Sequence, residues 1–128
     1  MTRRAVSTTA APAAAGAYSQ AIETEHYVFC AGQVGRDPAS DVMPEGIEAQ
    51  TEQALRNLQG VLDAAGCTFA DVVKTTCFLA DIGDFAAFNA VYARFMSDPP
   101  PARSTFQVAA LPMGARVEIE ATAVRARD

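Results

Sequence analysis

Arg103 is the residue of this chain best placed to do chemistry, because its neighbours in sequence would hold it in one position. Residues 99–101 are all proline, and prolines fix the backbone and donate no amide hydrogen bond. A strand-like alternation follows over residues 104–108. A stiffly presented guanidinium can grip a carboxylate through two parallel hydrogen bonds. An arginine at a strand start is more often a surface or ion-pair residue, so its surroundings must decide between the two interpretations.

The chain offers few other conventional catalytic groups. Its single histidine, His26, lies at a strand start far from any serine elbow, so we do not expect a catalytic triad. Its single lysine, Lys74, lies mid-strand, where a packed stem and a solvated head are more common than a Schiff base. Neither a GxxxxGK nor a GxGxxG phosphate-binding loop is present. The remaining candidates are Arg103, Tyr18, Glu118, Glu120 and the backbone at Gly32.

The three cysteines, Cys30, Cys67 and Cys77, are widely spaced and include no CxxC pair. With a single histidine beside them, a structural zinc site is not expected. We expect buried free thiols, as in a protein of a reducing cytosol, and a protein without metal or cofactor.

Size and charge limit the class of protein. The chain is long enough for one domain, over residues 1–128, with a core of its own. A net charge of −5 argues against binding to nucleic acid or to an anionic membrane surface. No apolar run approaches a membrane span, and no apolar core of a signal peptide follows Arg3 and Arg4. We expect a cytoplasmic protein; the first acidic residue is Glu23, so a transit peptide is the alternative.

Two helices are predicted from apolar periodicity. Residues 46–65 carry apolar side chains at spacings of 7, 4, 3 and 4, which form one stripe, and Gly66 is placed to end the helix as a left-handed cap. A second helix begins after Asp84, a suitable N-cap, and has aromatic residues at i, i+3, i+7 and i+10. The stripes consist of Ile47, Ala54, Leu58, Val61 and Ala65 in the first helix and Phe85, Phe88, Tyr92 and Phe95 in the second.

Strands fill most of the remaining sequence. We predict a loose arm over residues 1–15 with a short strand, then strands over 26–31 (ended by Gly32), 72–79, 103–109 and 116–125. Turn chemistry separates them at residues 36–41 and 112–114. The order strand, strand, helix, strand, helix, strand, strand indicates an α+β domain with one mixed sheet and two helices on one face.

The last strand predicts two different sheet faces. Its apolar set suits packing under the helices, whereas the opposite set is polar without being heavily charged. The second face is typical of a subunit interface or pocket wall, with plain solvent exposure as the alternative. The first set is Val117, Ile119, Ala121 and Ala123, and the second is Glu118, Glu120, Thr122 and Val124.

Eight short motifs resemble, in order, those of the reactive intermediate deaminase A family (RidA, formerly YjgF). Each motif is weak alone, but eight in register from about residue 10 to the C-terminus are highly specific. They are GAYSQ (16–20), AGQ (31–33), QTEQALRNL (50–58), AAG (64–66), DVVKTT (71–76), NAVY (89–92), PARS (101–104) and VEIEA (117–121).

The resemblance implies a chorismate-mutase-like α+β fold and a homotrimer whose sheets surround a central barrel, with the helices outside. Three ligand clefts would lie between neighbouring subunits, and partner subunits would bury the second sheet face. It also implies an activity that needs no cofactor, the hydrolysis of reactive 2-imino acids and their enamines to 2-keto acids and ammonia. These imines arise from pyridoxal-phosphate enzymes.

The resemblance also assigns roles to individual residues. Arg103 would hold the substrate carboxylate, and Glu118, on the adjoining strand, would position or activate water. Tyr18 would line the cleft, the backbone of Gly32 would face the ligand, and Asn89 would be structural support. A carboxylate acting as general base typically contributes about 100- to 10,000-fold in rate.

The chain departs from the family pattern at three positions. Ala31 stands where a ligand-contacting serine is usual, Ala17 where proline is usual, and Thr105 where many members have cysteine. Ala31 still belongs to the predicted substrate-binding set. Its missing hydroxyl strengthens the alternative of a non-catalytic protein that binds keto acids in the same cleft. A third alternative is an interaction protein, such as a translation inhibitor, ribonuclease or chaperone; the acidic charge makes a ribonuclease unattractive.

Overall fold

A computed structural model describes residues 2–125 as one mixed six-stranded sheet with two helices packed against it. Neighbouring strands are antiparallel except β4 and β5, a parallel pair whose crossover connection contains α2. The predicted α+β class is therefore confirmed. The strands are β1 (Arg4–Val6), β2 (Ala21–Glu23), β3 (Tyr27–Val34), β4 (Val72–Leu79), β5 (Ala102–Gln107) and β6 (Val117–Val124), in the sheet order β1-β2-β3-β6-β4-β5, and the helices are α1 (Ile47–Ala64) and α2 (Phe85–Phe95).

Two strand predictions on the N-terminal side of the sheet are wrong. β2 is missed altogether, and β3 does not end at Gly32 but runs on to Val34. The register between β3 and β6 shifts between Cys30 and Gln33, so the chain makes a bulge where the glycine suggested an end. A bulge inserts a residue without ending the strand, and it re-aims the side chains beside it.

The helix predictions agree with the structure except at one cap. Four stripe residues of α1 are buried, and Gly66 has the predicted left-handed φ of +77°. The Gly66 and Cys67 amides donate to the carbonyl oxygens of Asp63 (3.0 Å) and Leu62 (2.8 Å), which is a Schellman ending. Within residues 2–125, neither helix combines the length and apolar character needed to cross a membrane.

Asp84 occupies the predicted N-cap position of α2, but its side chain does not act as the cap. Its side chain makes no capping hydrogen bond, and Oδ2 instead accepts from Arg116 Nη2 at 2.9 Å. A short 3₁₀ turn over Ile82–Asp84 leads straight into the helix, and Oδ1 of Asp81 accepts from the Gly83 amide there at 2.8 Å. The capping side chain is that of Asp81, three residues earlier, because the 3₁₀ turn precedes α2.

The two faces of the sheet differ as predicted from β6. Its apolar set is buried, whereas Glu118 is half-buried and Glu120 exposed on the opposite face. Strands β3 and β5 add Tyr27, Phe29 and Phe106 to the region not covered by helices, with 45–47% of each residue exposed. Exposed rings on one side of a sheet commonly mark an interaction surface.

The three cysteines are free and buried, as predicted. Burial raises the pKa of the Cys30 thiol to about 12 and that of Cys77 to about 11. Little thiolate is therefore present at neutral pH, and these thiols are packing groups rather than nucleophiles.

Glu23→Gln is expected to lower the free energy of unfolding by about 1–2 kcal/mol at neutral pH. Glu23 is buried on β2, where Oε2 accepts from Arg4 Nε at 2.6 Å and Oε1 lies 3.2 Å from Arg125 Nη1. The hydrogen bond from Arg4 outweighs burial and lowers the pKa of Glu23. The stabilisation by ionised Glu23 should therefore be complete above the ordinary glutamate pKa. It should be lost as pH falls through the lower pKa that Glu23 has in the folded protein.

Urea denaturation of the wild type and the variant at pH 7 and at stepwise lower pH measures this difference. Glu25→Gln, at an exposed neighbouring position, is the matched control. A stability difference that stays constant with pH, or an equal loss in the control, would contradict the assignment.

Candidate active site

Arg103 is the second residue of β5, and its side chain points to the helix side of the sheet. In the parallel register it lies opposite Thr75, which is fully buried. Its Nη1 donates a 2.7 Å hydrogen bond to Oδ1 of Asn89 on α2. Asn89 therefore provides the structural support predicted for it, because it fixes the plane of the guanidinium.

Three aromatic rings of α2 surround the guanidinium of Arg103. Its central carbon lies 4.7 Å from the ring centre of Tyr92, 5.3 Å from that of Phe85 and 5.8 Å from that of Phe88. These distances are within the range of cation–π attraction. The Tyr92 hydroxyl is itself held 2.7 Å from Thr75 Oγ1. The predicted helix stripe thus serves both as core and as a cage that orients Arg103.

Arg103 has no carboxylate partner within residues 2–125. Six other arginines in this range form ion pairs with Asp or Glu. A cavity of about 410 Å³ adjoins the half-buried Arg103 and is also lined by Asn89, Met96 and Pro101. A partly buried, oriented cation without a protein counter-charge is suited to an anionic ligand, and a planar fork suits a carboxylate.

Glu118, Gly32 and Tyr18 meet at a second cavity, of about 300 Å³. The Glu118 side chain lies over the β3 bulge so closely that a Cβ on Gly32 would be 2.5 Å from Oε2. Only glycine leaves room for the carboxylate there. Tyr18 is 53% exposed at the rim, and its hydroxyl accepts from the Ala15 amide at 3.3 Å.

The environment of Glu118 raises its pKa above the ordinary glutamate value. Burial is the larger cause, and the neighbouring charge of Glu120 adds to it. A carboxylate with a raised pKa is a stronger base, which suits it to accept a proton from water near neutral pH.

Arg103 and Glu118 lie on opposite faces of the sheet. Arg103 contacts α2 on the helix face, whereas Glu118 alternates with the buried Val117 and Ile119 and points away from the helices. The prediction that their strands adjoin is also wrong, because β4 lies between β5 and β6. One chain therefore carries two separate groups of candidate residues, which we call the cationic and the acidic half-site.

Ala31 lies beside the acidic half-site rather than in it. It lines a neighbouring depression with Tyr18 and Phe29, and its amide donates to the Gln20 carbonyl at 2.9 Å. Ala31 is half-buried, so a side chain there faces a partly enclosed space.

The other candidates lie away from both half-sites. His26 is exposed just before β3, as predicted, and Lys74 is exposed near Glu120 at a separate depression. Within residues 2–125, no three His, Cys, Asp or Glu side chains are grouped to hold a metal ion.

One residue of the acidic half-site has no counterpart in the sequence prediction. Arg36, which the sequence suggests is part of a turn, lines the same cavity as Glu118. Its position follows from the extra length of β3, which carries the chain past Gly32 toward the cavity.

Comparison with known proteins identifies the relatives of this chain. Residues 8–125 match the family described as Endoribonuclease L-PSP. A Mus musculus protein named 2-iminobutanoate/2-iminopropanoate deaminase is 51% identical over 124 residues, which cover 96% of this chain and 92% of that protein.

Solved structures show the same fold. RidA from the Antarctic bacterium Psychrobacter sp. superposes with a TM-score of 0.93 at 43% identity, covering 95% of this chain and 99% of that one. Escherichia coli TdcF with bound serine superposes with a TM-score of 0.92 at 36% identity, covering 96% and 99%.

Proposed function

Since the chain belongs to the Endoribonuclease L-PSP family and is 43% identical to a solved RidA, the family that its eight motifs resemble, we propose that it is a 2-iminobutanoate/2-iminopropanoate deaminase. It hydrolyses reactive 2-imino acids to 2-keto acids and ammonia. The activity named for the Mus musculus relative, at 51% identity over nearly the full length of both chains, supports the reaction. The observation that carries the proposal is Arg103, oriented by Asn89 and facing a cavity without a carboxylate partner in residues 2–125.

The chemistry requires little from the protein. Water adds to C2 of the imine, the carbon–nitrogen bond breaks, and nitrogen leaves as ammonia. A protonated imine is already electrophilic, so binding, orientation and one base are sufficient. In the proposal Arg103 binds the substrate carboxylate, Glu118 accepts the proton of the attacking water, and Tyr18 and Gly32 line the cleft. This mechanism uses no metal or cofactor.

The proposal includes a homotrimer, because a complete site needs Arg103 of one subunit and Glu118 of another. The opposite orientation of the two residues supports it, since one ligand cannot reach both faces of a sheet. The exposed rings on the outer side of the sheet also support it, because oligomerisation would cover them. The expected mass in sedimentation is three times the 13.5 kDa of the chain.

A carboxylate-binding protein without catalysis is the second candidate. The relative solved with bound serine, an amino acid, favours it, and so does Ala31 in place of the usual serine. The ribonuclease named in the family description has less support here, since a net charge of −5 does not suit a polyanionic substrate.

The test is the release of keto acid and ammonia from imines made in situ by an amino-acid oxidase. The wild-type protein is expected to accelerate hydrolysis of the three- and four-carbon imines over buffer. An unchanged rate would end the enzyme proposal, and calorimetric binding of 2-ketobutyrate would then favour the second candidate.

A further inference from the structure

Arg36 lines the same 300 Å³ cavity as Glu118. It and Glu118 are the two charged residues among those lining the 300 Å³ cavity. The volume is at the lower limit for small-molecule sites, and it exceeds what a three-carbon acid needs. The second charge in the cavity is therefore available for a longer substrate.

The hydrogen-bonding capacity of Arg36 is mostly unused within residues 2–125. Its side chain is only 23% exposed, and its buried Nε has no hydrogen-bond partner. Nη1 donates only to the thioether of Met113, at 3.6 Å, which is a weak acceptor. A guanidinium has five donors, so one that is mostly shielded from solvent and has an unpaired Nε can accommodate a carboxylate.

The one carboxylate near Arg36 is poorly placed to satisfy it. Oδ1 of Asp41 lies 3.3 Å from Nε, but without hydrogen-bond geometry, and the Asp41 side chain is 78% exposed. Exposed ion pairs are weak, so a ligand carboxylate inside the cavity can compete with Asp41.

The backbone of Arg36 is held firmly against α1. The buried side chain of Asn57 donates to the carbonyl oxygens of Val34 (3.0 Å) and Arg36 (2.8 Å). Gly35 approaches so closely that a Cβ there would be 2.4 Å from the carbonyl oxygen of Gln50. A cation on such a support is preorganised, which lowers the entropic cost of binding.

We infer that Arg36 is a specificity-determining residue that binds the distal carboxylate of four- and five-carbon 2-imino dicarboxylic acids. The inference rests on the proposed function, in which Arg103 of another subunit holds the first carboxylate. The distal carboxylate would then enter a cavity where Glu118 repels it and Arg36 attracts it. Oxidation of acidic amino acids at the α-carbon is the class of reaction that supplies such imines.

The test compares imines made in situ from aspartate and glutamate with those made from alanine and 2-aminobutyrate. In the wild type, the dicarboxylic imines should be hydrolysed with a kcat/KM at least equal to that of the monocarboxylic ones. Arg36→Met should lower the ratio of the two kcat/KM values by at least about tenfold, because a charge-assisted hydrogen bond to the distal group is lost. Arg36→Lys should keep part of the ratio, and Asp41→Asn should raise it.

Arg56→Met, which removes an exposed arginine on the outer side of α1, is the matched control and should leave the ratio unchanged. A ratio that is the same in Arg36→Met and the wild type overturns the inference while leaving the proposed function intact. If no imine is hydrolysed faster than in buffer, the proposed function fails. Calorimetry with 2-ketoglutarate then decides separately, since weaker binding to Arg36→Met supports the role of Arg36 and equal binding removes it.

Discussion

Arg103→Ala is expected to reduce the acceleration of imine hydrolysis by at least about 100-fold, to near the rate in buffer. The substrate carboxylate would lose the oriented cation that holds it, and the imine carbon would no longer be held against the attacking water. Arg103→Lys should also be severe, because an ammonium cannot form the planar fork, and the bond to Asn89 would lose its fixed geometry.

Steady-state kinetics with the alanine-derived imine measure the loss. Arg94→Ala is the control, since Arg94 lies on the same helix α2 but is exposed and paired with Glu52. Sedimentation and thermal unfolding should show the same assembly for both variants, so that a loss of activity cannot be attributed to misfolding. An Arg103→Ala protein that retains most of its activity would rule out the proposed carboxylate site.

Glu118→Gln should also inactivate the protein, and mixing it with Arg103→Ala should restore activity. Because the two residues lie on opposite faces of one sheet, each complete site of the proposed trimer would draw Arg103 and Glu118 from different subunits. A hybrid assembly contains interfaces at which both residues are intact. Random mixing in equal amounts gives about a quarter of the wild-type sites per subunit, since each of the two residues is intact with a probability of one half.

Subunits would be exchanged by joint unfolding and refolding, and native mass spectrometry of a mass-tagged variant would verify the hybrids. The two variants refolded separately and then combined are the control and should remain inactive. Verified hybrids without activity would contradict the shared site.

The pH profile gives an independent signature of Glu118. Its pKa is raised by burial, so the base form, and with it kcat/KM, should decline as pH falls through a midpoint above the ordinary glutamate value. The same shift means that ionised Glu118 lowers stability above that midpoint. Glu118→Gln should therefore unfold at an equal or higher urea concentration at pH 7, although it is inactive.

The helices and the long strands could be predicted because their patterns are local. The α1 stripe, Gly66 and the β4 strand need only neighbours in sequence to be recognised. β2 could not, since a three-residue strand has too few positions for a period and exists only through its pairing with β1 and β3. Gly32 looked like an end because glycine marks both ends and bulges, and only the register with β6 distinguishes them.

The candidate site could be predicted by residue but not by arrangement. The proline run identified Arg103, and the family motifs identified Tyr18, Gly32 and Glu118. The separation of Arg103 from Glu118 depends on strand order, because β4 comes between β5 and β6 through a crossover that no local pattern reveals. Arg36 escaped notice because it begins the turn-like run of residues 36–41. The contact that holds its backbone, from Asn57 to the end of β3, joins residues distant in sequence.

In the proposed trimer, the division of the site between two faces of one sheet would make dilution a form of inhibition. A solitary chain would present the caged guanidinium of Arg103 and the carboxylate of Glu118 to different volumes of solvent. Turnover per chain would then depend on the amount of protein present and fall steeply once subunits separate. The expression level would then determine both the number of sites in a cell and the fraction of chains that belong to a complete site.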